Sequence, residues 1–442
     1  MTGSGSHAPH PKAQFLAELG VAAGPLRVGG LLAQDLADRF GTPLYVYDAA
    51  VLRRTLAQVR AQLGPRTEVF YALKANPNAA VGQVFARAGA GAEVASAGEI
   101  HIARRAGFAA EQIQFAGPGK NVEDLDLALS VGIGWINLES PAEYAALRAR
   151  CVALGRRARV AIRVNPKTAI SGSRMRMGGG SKKFGVDEDE VLALARTIVA
   201  DGRADLRGLH VYAGTQSFDA DSWVGNAQHL LELATAVEQA LGAPLQTLNF
   251  GGGFGVATFE GDPEFDLARA GRTLQALITR EQRPERRYLV ELGRYLTAAA
   301  GVYLTRVVYL KRSQGRQHAI LDGGMHQHGA ATGLGAVIRR TFPIVACADV
   351  GAAPAARCTL GGPLCTPADE LAPDLELPEL AAGDLLAVLA SGAYGLTFSN
   401  VLFLSHPLPA EILVDAGSAH LVRARGHSED SLRGQRLPMD PA

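Results

Sequence analysis

Between residues 67 and 296, short apolar runs alternate with amphipathic stretches. The runs TEVFYALKAN, AEVAS, IQFAGPGK, WINLES, ARVAIRVNP, LRGLHVYAGT, LQTLNFGGG and RYLVELGRYL read as eight strands. Between them, Val122–Val131, Pro141–Leu154 and Asp187–Asp201 carry apolar residues at helical spacing. Eight strand–helix steps over about 230 residues fit a closed parallel (β/α)8 barrel better than a six-strand open sheet.

Beyond Leu296 the rhythm changes. GVYLTRVVYLKR, QHAILDGG, RCTLGGPLC, DLLAVLAS and AEILVDAG are strand-like with little helix between them, which predicts a second, mainly β domain. TPLYVYDAAVL, ahead of the barrel, adds a strand to that domain. The expected organisation is a disordered lead-in over 1–14, a segment 15–49 joining the β domain, the barrel over 50–296, the β domain over 297–424, and a mobile tail over 425–442.

Composition narrows the function classes. With 44 Lys+Arg against 43 Asp+Glu the net charge is +1, so no broad basic field addresses nucleic acid or acidic lipid. The four cysteines, Cys151, Cys347, Cys358 and Cys365, form no CxxC pair, which argues against a disulfide framework or a zinc site. No metal is expected. No apolar run is long enough to span a bilayer, and MTGSGSHAPHPK lacks a signal peptide's apolar core. These features predict a reduced, cytoplasmic protein.

Active sites of parallel barrels lie at the C-terminal ends of their strands. Lys74 ends the run YALKAN; a desolvated lysine there loses charge readily and can form an imine with a carbonyl. Taken alone, it is more often a snorkelling surface residue. NFGGGFG supplies Gly251, Gly252 and Gly253, whose backbone N–H groups can cradle a phosphate, although glycine triplets also make plain turns. Glu291 and Arg294 end the eighth strand. The carboxylate can keep a pyridine nitrogen protonated and the guanidinium can meet a phosphate, and a local ion pair is the plain alternative. Together, an imine lysine, a phosphate loop and an acidic ring partner describe pyridoxal 5'-phosphate.

At these motifs the chain resembles the fold-type III pyridoxal-phosphate decarboxylases, the alanine-racemase-like barrel family of diaminopimelate and ornithine decarboxylases. YALKAN corresponds to the family's Schiff-base segment, with Lys74. GAEVASAGE supplies Glu93 near that lysine, RVNP supplies Arg163, and ELGR stands where the family has EPGR. In GLHVYAGTQ, His210, itself a cofactor contact, lies two residues before the position of the ring-stacking histidine, which here is Tyr212; Thr215 replaces a serine that contacts the phosphate. GPLCTPAD resembles the cysteine segment that reaches across a dimer, and GAYG gives Tyr394, a phosphate contact. The resemblance therefore implies a homodimer with shared active sites, Cys365 as α-carbon proton donor, and an ion pair between Lys183 and Asp369 across the interface.

The departures concern substrate. Thr366 stands where relatives carry an acid for a substrate's distal amine, and a neutral hydroxyl does not compensate a buried ammonium. MHQHGAATGLGAVIRRTFP replaces the arginine-bearing RPxLY stretch of diaminopimelate decarboxylases. His326, His328, Arg339 and Arg340 in it either meet a substrate carboxylate or a carrier's phosphate, or form a solvated face. SGSRMRMGGGSKKFG, whose Gly178–Gly180 suggest an active-site loop, HVYAGTQ, MHQH and GPLCTPAD look closest to the biosynthetic branch of butirosin formation. That branch includes a decarboxylase of glutamate tethered through its side chain to an acyl carrier protein. The expectation is decarboxylation of an L-amino acid or amino-acyl group. The alternatives are a free diamino-acid decarboxylase, an amino-acid racemase and a non-catalytic cofactor-binding relative.

Overall fold

Eight parallel strands close on themselves by backbone hydrogen bonding, and a further strand ahead of them belongs to a different sheet. The chain is described by a computed structural model covering residues 11–167, 173–176, 181–212, 214–335 and 338–438, with the backbone alone for 173–176. Gly178–Gly180, the lead-in up to His10 and the end of the tail lie outside the described residues. Backbone contacts divide the chain into two units. One comprises Leu52–Ala257 with Pro263–Leu296; the other comprises Met1–Val51, Thr258–Asp262 and Thr297–Ala442.

We label the strand Leu44–Asp48 β1. The barrel strands follow as β2 (Thr67–Ala72), β3 (Gly91–Val94), β4 (Ile113–Phe115), β5 (Trp135–Leu138), β6 (Ala158–Asn165), β7 (Ala204–Val211), β8 (Thr247–Gly252) and β9 (Arg287–Leu292). The (β/α)8 expectation holds: β2 to β7 pair in sequence order, β8 joins β7, and β9 joins both β8 and β2 to close the ring.

The returning helices are fixed by their ends. Ser140 caps Pro141–Leu154 by accepting from Glu143 N–H at 3.1 Å, with Pro141 in the first turn, and Gly155 closes it at φ 60°, a conformation that favours glycine. Asn121 and Asp124 form a reciprocal capping box on Val122–Val131. The helix expected over Asp187–Asp201 begins only at Val191, after a 3-10 turn over Glu188–Glu190.

In the other unit, β1 pairs antiparallel with β10 (Gly301–Ser313) and parallel with Ala410–Asp415. Strands Ile344–Ala346, Glu370–Leu377 and Ser418–Arg423 join those that the apolar runs foretold. Pro11–Glu18 is a helix with Phe15 and Leu16 buried, so residues 11–14 are ordered where disorder was expected: two apolar side chains find a core. The stretch expected to be mobile starts with an anchored residue, since Arg425 donates to the carbonyls of Phe40 and Pro43 at 3.2 and 2.8 Å. Among the described residues, no helix is long and apolar enough to cross a membrane, and no acid, histidine and cysteine cluster has metal-binding geometry.

Candidate active site

Side chains alternate across a strand, so residues two apart share a face. Phe70, Trp135, Ala161 and Leu289 form an apolar cluster from β2, β5, β6 and β9. Two residues further along β5, β6 and β9 stand Asn137, Arg163 and Glu291, all buried. The barrel interior therefore turns from apolar to polar toward its C-terminal end, where the candidate chemistry lies.

Lys74 sits in the 3-10 turn Leu73–Ala75 that follows β2. Its Nζ donates to both carboxylate oxygens of Glu93, each at 2.8 Å, and lies 5.7 Å from the Tyr212 ring centre. The lysine side chain is 38% exposed, whereas that of Glu93 is 2% exposed. Burial raises the Glu93 pKa, with Glu291 adding to the rise and Lys74 opposing it. The pair thus offers an accessible amine beside a buried proton acceptor.

Glu291 occupies a denser setting. Its Oε1 accepts from Gln114 Nε2 and Asn249 Nδ2, both at 2.6 Å, and its Oε2 lies 3.3 Å from His210 Nε2. Gln114 Oε1 in turn accepts from Asn249 at 2.9 Å and more weakly from Asn137 at 3.4 Å. Burial would raise the Glu291 pKa, but His210, Lys74 and the Asn249 hydrogen bond outweigh it and bring it to about 2. Glu291 is therefore held ionised inside the barrel.

Arg163 is buried and donates to Glu139 Oε1 at 2.7 Å, with its guanidinium over the Phe184 ring at 4.9 Å. Glu139 also accepts from the backbone N–H groups of Gly117 and Gly185 at 3.0 and 2.8 Å. Lys120, in the GPGK turn, spends its ammonium on the carbonyls of Gly117 and Asn137, both at 2.7 Å, and on Glu143 at 2.5 Å. Burial lowers the Lys120 pKa against the pull of Glu143. These ties fix the loops after β4, β5 and β6.

The glycine triplet has a geometric reason independent of any ligand. A Cβ on Gly252 would stand 1.8 Å from the Glu291 carbonyl oxygen, and one on Gly253 would stand 2.0 Å from that of Gly214 and 3.3 Å from Thr215 Cα. Close backbone approach thus brings Thr215, the triplet and Glu291 together. Arg294 opens the short helix Arg294–Thr297, directly after β9. Lys74, Glu93, His210, Tyr212, Thr215, Gly251–Gly253, Glu291 and Arg294 all belong to the barrel unit, as does Arg163.

The other predicted residues belong to the second unit. Cys365 is exposed, and the other three cysteines are buried. Its loop is organised by Asp369, whose two carboxylate oxygens accept from the Met325 and Leu364 N–H groups at 2.6 and 2.8 Å. Asp369 is 5% exposed, so the carboxylate expected to meet Lys183 across a dimer is engaged within its own chain. Thr366 Oγ1 accepts from Ala368 N–H at 3.3 Å. Tyr394 has φ 53°, a left-handed backbone in the GAYG turn.

His326 and His328 are both buried, which excludes the solvated face weighed for them. His328 accepts from Ala331 N–H at 3.2 Å and contacts Ser391 Oγ through Nε2 at 2.9 Å. Because Ser391 donates onward to the Val388 carbonyl, the imidazole is neutral with its proton on Nε2. Burial brings its pKa down to about 3. His326 packs against His406 with ring centres 4.7 Å apart, and burial, aided by His406, lowers it to about 4. Arg339 pairs with Glu370 at 3.3 Å, and Arg340 with Asp262 at 2.8 Å.

Sequence reasoning gave no role to Gln114, Asn249, Glu139, Lys120 and Glu143. Gln114 stands inside an apolar run, and its partner Glu291 is 177 residues away. A polar residue at an inward position of an apolar strand is the one signal that was available.

Residues 49–298 match the family described as pyridoxal-dependent decarboxylase, pyridoxal binding domain. The chain is 39% identical over 406 residues to the L-glutamyl-[BtrI acyl-carrier protein] decarboxylase of Niallia circulans, covering 90% of this chain and 95% of that one. It is 32% identical over 421 residues to the diaminopimelate decarboxylase of Zymomonas mobilis, covering 93% and 97%. The crystal structure of Helicobacter pylori diaminopimelate decarboxylase complexed with L-lysine superposes with a TM-score of 0.82 at 27% identity, covering 90% and 98%. An amine beside a buried acid, an ionised carboxylate deep in the barrel and these kinships agree: the chain belongs to the pyridoxal-dependent decarboxylases, with pyridoxal 5'-phosphate as its cofactor.

Proposed function

We propose that the substrate is an α-amino acid whose side chain is joined to a carrier protein, as in a glutamyl thioester, and that two copies of the chain share the active sites. Thr366 carries this reading. It follows Cys365, presents a hydroxyl rather than a carboxylate, and offers no charge to a desolvated terminal ammonium. The higher identity to the carrier-protein glutamyl decarboxylase than to the diaminopimelate enzyme supports the same choice.

The barrel residues fit pyridoxal phosphate, because an accessible amine, an ionised carboxylate and a tight glycine turn meet its carbonyl, ring nitrogen and phosphate in kind. Once bound, that group supplies the electron sink for the pair left by departing CO₂. Lys74 would hold it, and Glu93, 2.8 Å from Nζ, is placed to take the lysine's proton. Glu291 would meet the ring nitrogen and keep it protonated. Tyr212 offers a stacking face without an imidazole's proton. Thr215, Gly251–Gly253 and Arg294 would hold the phosphate, and Arg163 steadies the adjoining loops through Glu139. Cys365 from the second copy returns a proton to the α-carbon. His326 and Arg339 stand at the substrate's carrier side.

The exposed thiol of Cys365 suits a reducing compartment, and we place the enzyme in the cytoplasm. The test is a panel of free and carrier-tethered amino acids scored by CO₂ release. Turnover of the tethered glutamyl group is expected, with little from free diaminopimelate, lysine or ornithine. Turnover confined to those free diamino acids refutes the reading of Thr366.

A further inference from the structure

The environment of Glu291 is asymmetric in a way that its role as ring partner does not require. Oε1 is served by two carboxamides, Gln114 and Asn249, which neither gain nor lose a proton. Oε2 faces an imidazole, His210 Nε2, at 3.3 Å. His210 is 1% exposed and Glu291 3%, so each lies where an isolated charge is costly. Nε2 approaches Oε2 without the alignment of a hydrogen bond, and the His210 ring nitrogens have no hydrogen-bond partner among the described residues. The backbone register places Arg163, His210 and Asn249 side by side across β6, β7 and β8. The other charged groups acting on Glu291 are Lys74, which favours its ionised form, and Glu93, which it opposes.

We propose that His210 is a positioning residue for the decarboxylation: it acts through Glu291, holding that carboxylate ionised and turned to meet the cofactor's ring nitrogen. This differs from a direct cofactor contact, which its burial and its approach to Oε2 disfavour. It rests on the reading that Glu291 partners the ring nitrogen, and the test separates the two.

The apoprotein is titrated with pyridoxal phosphate and with its 1-deaza analogue, which has a C–H in place of the ring nitrogen. The ratio of the two dissociation constants reports the Glu291 contact without turnover. The unaltered protein is expected to prefer pyridoxal phosphate by about tenfold or more, as for a hydrogen bond to a charged group. His210→Phe is expected to bring the ratio close to that of Glu291→Gln, to leave inhibition of binding by inorganic phosphate unchanged, and to add nothing in the double variant. His210→Gln, whose carboxamide can donate to Oε2, is expected to restore most of the preference. If His210→Phe does not fold, His210→Asn, too short to reach Oε2, takes its place. An unchanged ratio in the His210 variants, with a collapsed ratio in Glu291→Gln, overturns the inference alone. An unchanged ratio in Glu291→Gln overturns the ring-nitrogen reading and the inference with it.

Discussion

Replacing Gly252 by alanine tests whether the glycine triplet serves the fold as well as a ligand. Gly252 ends β8 in register with Glu291 on β9. The added methyl would lie 1.8 Å from the Glu291 carbonyl oxygen and 2.9 Å from both its carbonyl carbon and Leu292 Cδ2. The oxygen belongs to backbone and cannot swing aside, so β8 and β9 must part by more than an ångström there. Forced overpacking and a strained strand pair cost roughly 2–5 kcal/mol together. Urea unfolding of the apoprotein, followed by circular dichroism, is expected to show a lower midpoint. Pyridoxal phosphate affinity is expected to fall too, because the displaced residue is the proposed ring partner. Gly225→Ala is the control: Gly225 lies within the helix Ala220–Leu241 with no atom within 4 Å of a would-be Cβ, so alanine is expected to stabilise by about 0.5–1 kcal/mol. An apoprotein midpoint unchanged by Gly252→Ala, with only cofactor affinity reduced, would refute the backbone-approach argument.

Three further outcomes follow from the same geometry. Lys120→Met leaves Glu143 buried without its cation and is expected to destabilise the protein by about 3–5 kcal/mol, read from unfolding at neutral pH. Burial, reinforced by Glu93, raises the Glu99 pKa to about 7, so the folded state binds a proton more tightly than the unfolded chain and stability falls as pH rises from about 4.5 to 7. Glu99→Gln, which can still accept from Ala95 N–H, is expected to gain on the unaltered protein across that window; equal pH slopes for the two count against the shift. His328→Phe strips Ser391 of its imidazole partner and is expected to cost about 1–3 kcal/mol, as a thermal melt would show.

The barrel was legible because each apolar run ends in polar or glycine residues, a pattern that survives without any knowledge of pairing. Lys74, Glu93 and Glu291 were legible for the same reason: they stand at those ends. The polar interior was not. Gln114 looks like an interruption in IQF until β9 brings Glu291 to it from far along the chain. His210 was read as a cofactor contact from its motif, and its place beside Glu291 came only with the fold. In the second unit, Glu370–Leu377 carries a proline and several acids and Ser418–Arg423 is largely exposed, so neither showed the apolar signal of a strand. The burial of the MHQH histidines was not legible, because polar residues in a glycine-rich loop resemble a surface. The aromatic rings of Tyr45, Tyr303 and Phe342 that enclose His328 come from distant segments.

The central claim is that Lys74 carries the cofactor at the mouth of this barrel. Reduction of the cofactor-loaded protein with borohydride, followed by peptide mass spectrometry, reads it directly. The account predicts a pyridoxyl group on Lys74 and none in Lys74→Ala; a label on another lysine, or no label in a protein that still releases CO₂, would contradict it.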